Sequence, residues 1–268
     1  MTDMQNFLMC QPDYFEVSYV INPWMTGNLG KVNKALAAVQ WQQLHDTIAA
    51  RANIQLIAPQ PGLPDMVFTA NAGLVNRPHE VIVSTFLHAE REGESAHYRR
   101  FFLAHQYHEI LLQPGIVFEG AGDALFDAAG RLWMGCGIRS THSAPDAVTR
   151  ALALPVHGLT LLDPRWYHLD TAFCPLRNGE VIAYRKAFSA DSIRMIEESF
   201  GENIIWVSDE DAENFACNAV NIGNDIILYR ASSALKAALQ RWGYKVIEVD
   251  VAEFMKSGGS CKCLTLEL

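Results

Sequence analysis

Cys263, near the end of this 268-residue sequence, has surroundings that could support a nucleophile. It lies in the segment GGSCKCLT, whose two glycines allow the backbone to turn tightly before the thiol, so that the side chain can project into a cleft. A thiolate also needs nearby positive charge or hydrogen-bond donors to form at neutral pH. Cys263 is therefore a candidate nucleophile, and a buried core cysteine in the last strand is the alternative interpretation.

An imidazole and a carboxylate lie close together in the segment YHLDTAFCP. His168 and Asp170 are two positions apart, so on an extended strand both side chains face the same side. With the thiol, these groups could supply a nucleophile, an acid/base and a substrate clamp. A structural histidine oriented by Asp170 is the alternative. Glu119, in the glycine-rich FEGAGDALF, is a further carboxylate whose alternative role is a helix cap or turn residue.

Four more polar residues are candidates for binding a substrate. Asp65 and Asn71, six positions apart in PDMVFTANAG, share a face if the segment is a strand, although the adjacent proline and glycine also suit turn-forming roles. Arg91 in AEREGE and Arg139 in GIRST could each bind an anionic group or be a solvated surface charge. All these segments have the composition of strand ends and turns, where catalytic groups usually lie.

The elements that position these residues are predicted from hydrophobic periodicity. Apolar residues recur at three- to five-residue steps over residues 28–52, which predicts an amphipathic helix packed on a sheet. Shorter helices are predicted over 94–104, 191–200 and 232–242. Short apolar, β-branched runs predict strands at 54–58, 80–86, 180–184, 203–208, 225–229 and 245–249. The segments FCPLRNGEVIAY and NAVNIGNDIILY predict hairpins, and this mixed order argues against a doubly wound parallel sheet.

Composition narrows the classes of partner. Half of the residues are hydrophobic and 19% are charged, which is typical of a compact protein with a sizeable core. The net charge of -9 disfavours nucleic acid and anionic membrane surfaces as partners. Without a signal-like N-terminus or an apolar stretch of roughly 20 residues, a cytoplasmic location with reduced cysteines is expected. Cys261 and Cys263 are spaced one residue short of the common CxxC, so no structural metal is expected.

The site segments, taken in order, resemble those of the guanidine-modifying superfamily, which contains arginine deiminases, dimethylarginine dimethylaminohydrolases and amidinotransferases. The segments that carry the resemblance are PDMVFTAN, the arginine of ERxGE, FEGAGD, GIRST, HLD and the closing GGxxxCLT. Similarity is closest to the cyanobacterial arginine-dihydrolase domain, through MCQPDYFEVSYVINPWM, YHLDTAFCPL, NFACN and GGSCKCLTL. The resemblance implies an α/β fold, a fivefold pseudosymmetric α/β propeller (pentein) of ββαβ units, as one catalytic domain over residues 1–268.

Roles for individual residues are implied by the same resemblance. The implied catalytic residues are Cys263 as the nucleophile, His168 as the acid/base and Glu119 as the partner of the imidazole. The implied substrate contacts are Asp170 with the guanidinium, Asp65 near the amino-acid end, and Arg91 and Arg139 facing the carboxylate. Asn71 replaces a second aspartate of deiminases and dimethylarginine hydrolases, and its amide can donate and accept hydrogen bonds. FEGAGD has one residue more than the EGGD of deiminases, which affects the assignment of Glu119.

The expected activity is hydrolysis of a guanidino amino acid without metal or organic cofactor. L-Arginine would be converted to ornithine, ammonia and carbon dioxide through a covalent amidino-thioether on Cys263. The first alternative is an arginine deiminase or dimethylarginine dimethylaminohydrolase that stops at citrulline, and the second is a non-catalytic guanidino-binding or scaffold protein. A small guanidino molecule is the expected partner, and a homo-oligomer stays open.

Overall fold

The computed structural model describes residues 4–76 and 79–268. The strands in these ranges form five three-stranded sheets, and helices connect the strands within each sheet. The strands are β1 (Asn6–Cys10), β2 (Asn53–Ile57), β3 (Gly73–Asn76), β4 (Glu80–Val83), β5 (His108–Glu109), β6 (Ala124–Phe126), β7 (Leu132–Cys136), β8 (Val156–Thr160), β9 (Phe173–Pro175), β10 (Val181–Ala183), β11 (Ile204–Trp206), β12 (Val220–Ile222), β13 (Asp225–Leu228), β14 (Lys245–Glu248) and β15 (Leu266–Glu267).

The five sheets repeat one topology. Their strand orders are β3-β4-β5, β6-β7-β8, β9-β10-β11, β12-β13-β14 and β15-β1-β2. In every sheet the middle strand pairs antiparallel with the first and parallel with the third. A parallel partner needs a crossover connection, and a helix supplies it each time. The molecule is therefore an α/β protein with five mixed sheets, and the prediction against a doubly wound parallel sheet is confirmed.

Several of the helices are capped by Ser or Asn side chains. They are α1 (Lys34–Ala49), α2 (Ala89–Glu92), α3 (Glu94–Ala104), α4 (Ala144–Leu152), α5 (Ala190–Phe200), α6 (Asp209–Glu213), α7 (Ser233–Arg241) and α8 (Ala252–Met255). Asn33, Ser189 and Ser232 accept hydrogen bonds from backbone N–H groups in the first turns of α1, α5 and α7. None of the helices within the described ranges is long and apolar enough to cross a membrane.

Helix α1 confirms the long predicted helix but not all of its predicted face. It begins at Lys34 because Asn33 caps it, so the first residues of the predicted range are loop. Leu36 and Val39, two of the apolar residues that recur in the predicted range, are exposed. The buried face instead carries Trp41, which joins Leu44 and Ile48 of the helix in one core cluster with residues of β1. The helix therefore packs on its sheet as predicted. Its buried face is shifted by about one residue from the predicted face.

Two of the site segments are not strands. The segment with Asp65 and Asn71 forms two short 3-10 helices, Pro64–Val67 and Thr69–Ala72. Asp170 lies in a third, Leu169–Thr171, and His168 is the extended residue that precedes it. The predicted shared strand faces are therefore wrong, because both segments coil just before a strand begins. The two predicted hairpins are confirmed by the antiparallel pairs β9–β10 and β12–β13.

One strand of each sheet faces a common cavity. The antiparallel edge strands are β3, β6, β9, β12 and β15. A cavity of about 600 Å³ is lined by residues from all five, among them Val75, Leu125, Cys174, Val220 and Leu266. The five edge strands are therefore arranged around one space. The segment that precedes each of them lies at the N-terminal end of that strand.

Candidate active site

The candidate site is built from the segments that lead into the five edge strands. Asn71 lies just before β3, Glu119 before β6, Asp170 before β9, Asn218 before β12 and Cys263 before β15. All five side chains are buried. Hydrogen bonds connect these segments, and the contact of His168 with Glu119 joins the Asn71–Glu119 pair to the segment of Asp170, so that groups distant in sequence meet in one place.

Cys263 lies in a turn, not in the last strand. Its sulfur is 3.5 and 3.7 Å from the two carboxylate oxygens of Asp170, to which the thiol donates. The Nδ2 group of Asn218 donates to the same sulfur at 3.1 Å. Gly258, with φ +87°, adopts the left-handed conformation that the tight turn before the cysteine requires. The structure thus brings the candidate nucleophile against the candidate guanidinium-binding carboxylate.

The surroundings of this sulfur disfavour a free thiolate. Burial and the adjacent Asp170 raise the pKa of Cys263 well above its ordinary value, although Ser260, Asn218 and Lys262 lower it. Burial also raises the pKa of Asp170 to about 7, despite Lys262 and the hydrogen bonds it accepts. A guanidinium cation bound beside Asp170 would favour the ionised form of both groups. The site is therefore suited to form its nucleophile when a cation is present.

His168 belongs to a buried chain of charged groups. Its Nε2 lies 2.7 Å from Oε2 of Glu119, and Arg139 Nη1 donates to the same oxygen at 2.9 Å. The Leu87 backbone N–H donates to the other oxygen at 3.1 Å. Burial would raise the pKa of Glu119, but Arg139 and His168 hold it below its ordinary value. Because Glu119 is ionised, Nε2 is the donor and Nδ1 is the basic nitrogen of the neutral imidazole.

Asn71 is held between an arginine and a backbone carbonyl. Its Oδ1 accepts from Arg91 Nη1 at 2.9 Å, and its Nδ2 donates to the Glu119 carbonyl at 2.9 Å. A Cβ at Gly122 would lie 2.3 Å from Nδ2 of Asn71 and 3.3 Å from Nδ1 of His168. Only glycine leaves room there. The 2.7 Å contact of Glu119 with His168 shows that the additional residue of FEGAGD does not displace Glu119 from the imidazole.

The remaining predicted contacts are occupied by internal partners. Asp65 accepts from the hydroxyls of Tyr19 at 3.0 Å and Ser257 at 3.2 Å, and burial raises its pKa. Arg91 makes a two-pronged ion pair with Glu94, both contacts 2.8 Å. Arg139 is paired with Glu119. Both arginines thus have an internal carboxylate partner, which the implied role of facing a substrate carboxylate did not include.

Sequence reasoning gave no role to Asn218 or Asp123. Asp123 accepts hydrogen bonds from the Ser140 hydroxyl at 2.6 Å and from the Leu169 backbone at 3.1 Å, and so ties three site segments together. Burial raises its pKa to about 6. Asn218 stands just before a predicted hairpin, as Asp170 does, and that shared position is the signal that could have identified it.

Comparison with known proteins identifies the family that this chain resembles. The model of the family described as eukaryotic N,N dimethylarginine dimethylhydrolase matches residues 21–268. The N(G),N(G)-dimethylarginine dimethylaminohydrolase of Mycobacterium tuberculosis is 37% identical over 266 residues, which cover 98% of this chain and 86% of that protein. The bifunctional arginine dihydrolase/ornithine cyclodeaminase AgrE of Nostoc sp. is 46% identical over 270 residues, covering 100% of this chain.

This chain spans only 38% of the length of AgrE. Among solved structures, the N-terminal domain of the cyanobacterial arginine dihydrolase ArgZ, as a cysteine-to-serine variant bound to substrate, superimposes with a TM-score of 0.96. That domain is 46% identical, and the match covers 98% of this chain and 97% of the domain. The family model covers most of the chain, and a relative more than 30% identical is covered over most of its length. This chain therefore belongs to the N,N-dimethylarginine dimethylhydrolase family.

Proposed function

We propose that this chain is an arginine dihydrolase, which converts L-arginine to ornithine, carbon dioxide and two molecules of ammonia. The observation that carries the proposal is the contact of the Cys263 thiol with Asp170, 3.5 Å apart in a buried site that also contains the His168–Glu119 pair. The 46% identity to AgrE and to the substrate-bound ArgZ domain supports the choice of substrate.

We also propose that the five sheets close into a fivefold pseudosymmetric propeller, forming one catalytic domain over residues 1–268. Two observations support closure: all five edge strands line one cavity, and β15 pairs with β1 through Leu266 and Leu8. The catalytic turns would then ring one mouth of the central channel. The cysteines are unpaired thiols, which fits the proposed cytoplasmic location.

In the proposed first step, the substrate guanidinium binds beside Asp170 and the thiol of Cys263 gives up its proton to neutral His168. The thiolate adds to the central guanidino carbon and forms a carbon–sulfur bond. His168, in its protonated form, donates a proton to the departing nitrogen, and the carbon–nitrogen bond breaks to release ammonia. Glu119 stabilises the imidazolium. An amidino-thioether on Cys263 remains.

In the second step, neutral His168 takes a proton from water, and the resulting hydroxide adds to the amidino carbon. The carbon–sulfur bond breaks, the thiolate departs and a ureido product forms. If this neutral product is retained beside Asn71, a second attack by Cys263 on the ureido carbon breaks a carbon–nitrogen bond and expels the second ammonia, which leaves a thiocarbamate ester. Water hydrolyses this ester, and the carbamate of ornithine that is released breaks down to ornithine and carbon dioxide. Asn71 offers an amide where a carboxylate would hold only a cation.

A dimethylarginine dimethylaminohydrolase, which would stop at citrulline, is the second candidate. The family model and the 37% identity to the M. tuberculosis enzyme favour it. A non-catalytic guanidino-binding protein is a remoter candidate, because a binding site needs no thiol beside an imidazole–carboxylate pair.

Product analysis separates these candidates. Purified protein is incubated with L-arginine and, separately, with asymmetric dimethylarginine, and ornithine, citrulline, ammonia and dimethylamine are quantified. Cys263→Ser is the blank. Ornithine with two ammonia per arginine supports the dihydrolase, and citrulline with dimethylamine from asymmetric dimethylarginine supports the second candidate. Citrulline as the end product from L-arginine would instead support an arginine deiminase. Turnover by Cys263→Ser equal to that of the unchanged protein would refute the covalent mechanism.

A further inference from the structure

Asn218 is a fully buried amide whose hydrogen-bonding capacity is completely used. Its Nδ2 donates to the Cys263 sulfur at 3.1 Å and to the Asp170 carbonyl at 3.0 Å. Its Oδ1 accepts from the backbone N–H groups of Cys263 at 3.1 Å and Ser260 at 3.2 Å. One side chain therefore holds the nucleophile, the turn that presents it and the segment of the guanidinium-binding carboxylate.

We propose that Asn218 is a catalytic residue, which donates a hydrogen bond to the attacking sulfur of Cys263 and thereby stabilises its thiolate. The role in turnover rests on the proposed function, whereas the effect on the thiol does not. Hydrogen bonds to an ionised acceptor are roughly twice as strong as those between neutral groups. The contact of Nδ2 with the sulfur is therefore worth more in the thiolate than in the thiol.

Few other groups around the sulfur favour its thiolate, and those that do are the backbone of Ser260 and the charge of Lys262. The thiol donates to Asp170, so the nearest charge is negative and opposes ionisation. His168 directs Nε2 to Glu119. Among the hydrogen bonds of the described residues, Asn218 supplies the one side-chain N–H that reaches this sulfur. When the thiol loses its proton, its hydrogen bond to Asp170 disappears, and the bond from Asn218 gains strength.

The same amide also fixes the distance between nucleophile and cation-binding group. Asn218 binds the backbone of Asp170 with one N–H and the sulfur of Cys263 with the other. A guanidinium beside the carboxylate is thus held next to the sulfur that attacks its carbon. An aspartate at position 218 would preserve the size and the acceptor oxygens but would replace the donor by a second negative charge beside the sulfur.

The test is the pH dependence of Cys263 alkylation by iodoacetamide in the full chain carrying Asn218→Asp. Cys263→Ser gives the background from the other cysteines. Asn214→Asp, which makes the same change of charge four residues earlier on a half-buried side chain, is the matched control. We expect the alkylation rate at neutral pH to fall about 10- to 100-fold in Asn218→Asp, the range for a lost hydrogen bond to a charged group, and to be unchanged in Asn214→Asp.

With L-arginine as substrate, kcat should fall by a similar factor while KM changes less, because the hydrogen bond strengthens after binding. A folded Asn218→Asp protein with the alkylation profile of the unchanged protein would overturn the proposal and leave Asn218 a packing residue. If the variant does not fold, the proposal is tested on the unchanged protein by NMR. In a ¹⁵N-asparagine-labelled sample, one side-chain amide should titrate with the thiol and stop titrating in Cys263→Ser. The absence of a side-chain amide that titrates in this way would also overturn the proposal.

Discussion

Two asparagine amides organise the polar groups of the site without adding charge. Asn71 connects Arg91 to the backbone of Glu119, and Asn218 connects Cys263 to the backbone of Asp170. Each amide both donates and accepts, so it can bridge groups of unlike character in a buried place. The charge that a substrate meets is therefore set by the carboxylates and arginines, while the amides set the distances.

Asn71→Asp should convert the protein from an ornithine producer to a citrulline producer. The new carboxylate would pair with Arg91 and attract the cationic guanidinium, but it would offer no donor to a neutral ureido group. We expect the ornithine-to-citrulline ratio to fall at least about tenfold, since one hydrogen bond to the retained product is lost. Chromatographic product analysis measures the ratio, with the exposed Asn224→Asp as the control. An unchanged ratio in an active variant would assign product retention to other residues.

The residue types of the site could be predicted from the sequence, but their partners could not. Cysteine, histidine and carboxylates in glycine-rich turns can be recognised in the sequence itself. The pairing of Arg139 with Glu119, and the contact of Asn218 with Cys263, join segments that only the fold brings together. Arg91 was expected to face a substrate, and its ion pair with Glu94 three residues later depends on the helical turn that α2 and α3 form there.

At the scale of elements, the site depends on short turns that lead into edge strands. Helix α3 was predicted to its observed ends, because a long periodic segment specifies a helix by itself. The segments before β3 and β9 were interpreted as strand ends or turns, with shared strand faces considered for both, and they form 3-10 helices. Strands of three residues, such as β9, carry too little pattern to fix where extended structure begins. The boundary between turn and strand was therefore the least predictable part of the site.

Leu266→Ala should weaken both the fold and the catalytic turn. Leu266 is buried in β15 opposite Leu8 of β1, three residues after Cys263. Truncating a buried leucine costs about 2–5 kcal/mol of the free energy of unfolding. The free energy of unfolding, measured by urea denaturation, and the rate of Cys263-dependent turnover should both decline. Leu111→Ala, at a side chain that is 73% exposed, should leave both quantities unchanged within experimental error. Full activity in a clearly destabilised Leu266→Ala protein would show that the turn with Cys263 does not depend on the packing of β15.

For the whole molecule, the buried Asp170 links stability to pH. Its pKa is raised to about 7 by burial, so the folded state binds a proton there that the unfolded chain has released. Its contribution to stability is complete below the unfolded pKa of about 4 and is lost as pH rises through about 7. Between pH 5.5 and 8 this group alone should lower the free energy of unfolding by about 2 kcal/mol.

Urea denaturation at both pH values measures this loss, and Asp170→Asn, which cannot ionise, should show less of it. A variant that loses as much stability as the unchanged protein would show that other groups carry the pH dependence. The other carboxylates with raised pKa, Asp65, Asp123 and Glu94, remain in both proteins and cancel in the comparison.

The overall arrangement was the feature least accessible from spacing and periodicity. Those signals indicated mixed strands and helices, and the count of five came from the family resemblance. The sheet β15-β1-β2 shows the reason. Phe7 pairs with Glu267 across almost the whole chain, and no local pattern specifies such a partner. The two-residue strand β15 was not predicted at all.

That same pairing places the nucleophile in the part of the molecule whose contacts span the greatest length of chain. Contacts between residues distant in sequence form slowly, because a long loop must close before they can contribute. A chain that is folded everywhere except at this sheet would carry Cys263 apart from Asp170 and Asn218. Pairing of β15 with β1 is therefore expected to be needed for activity, and a molecule that lacks this pairing is expected to be inactive.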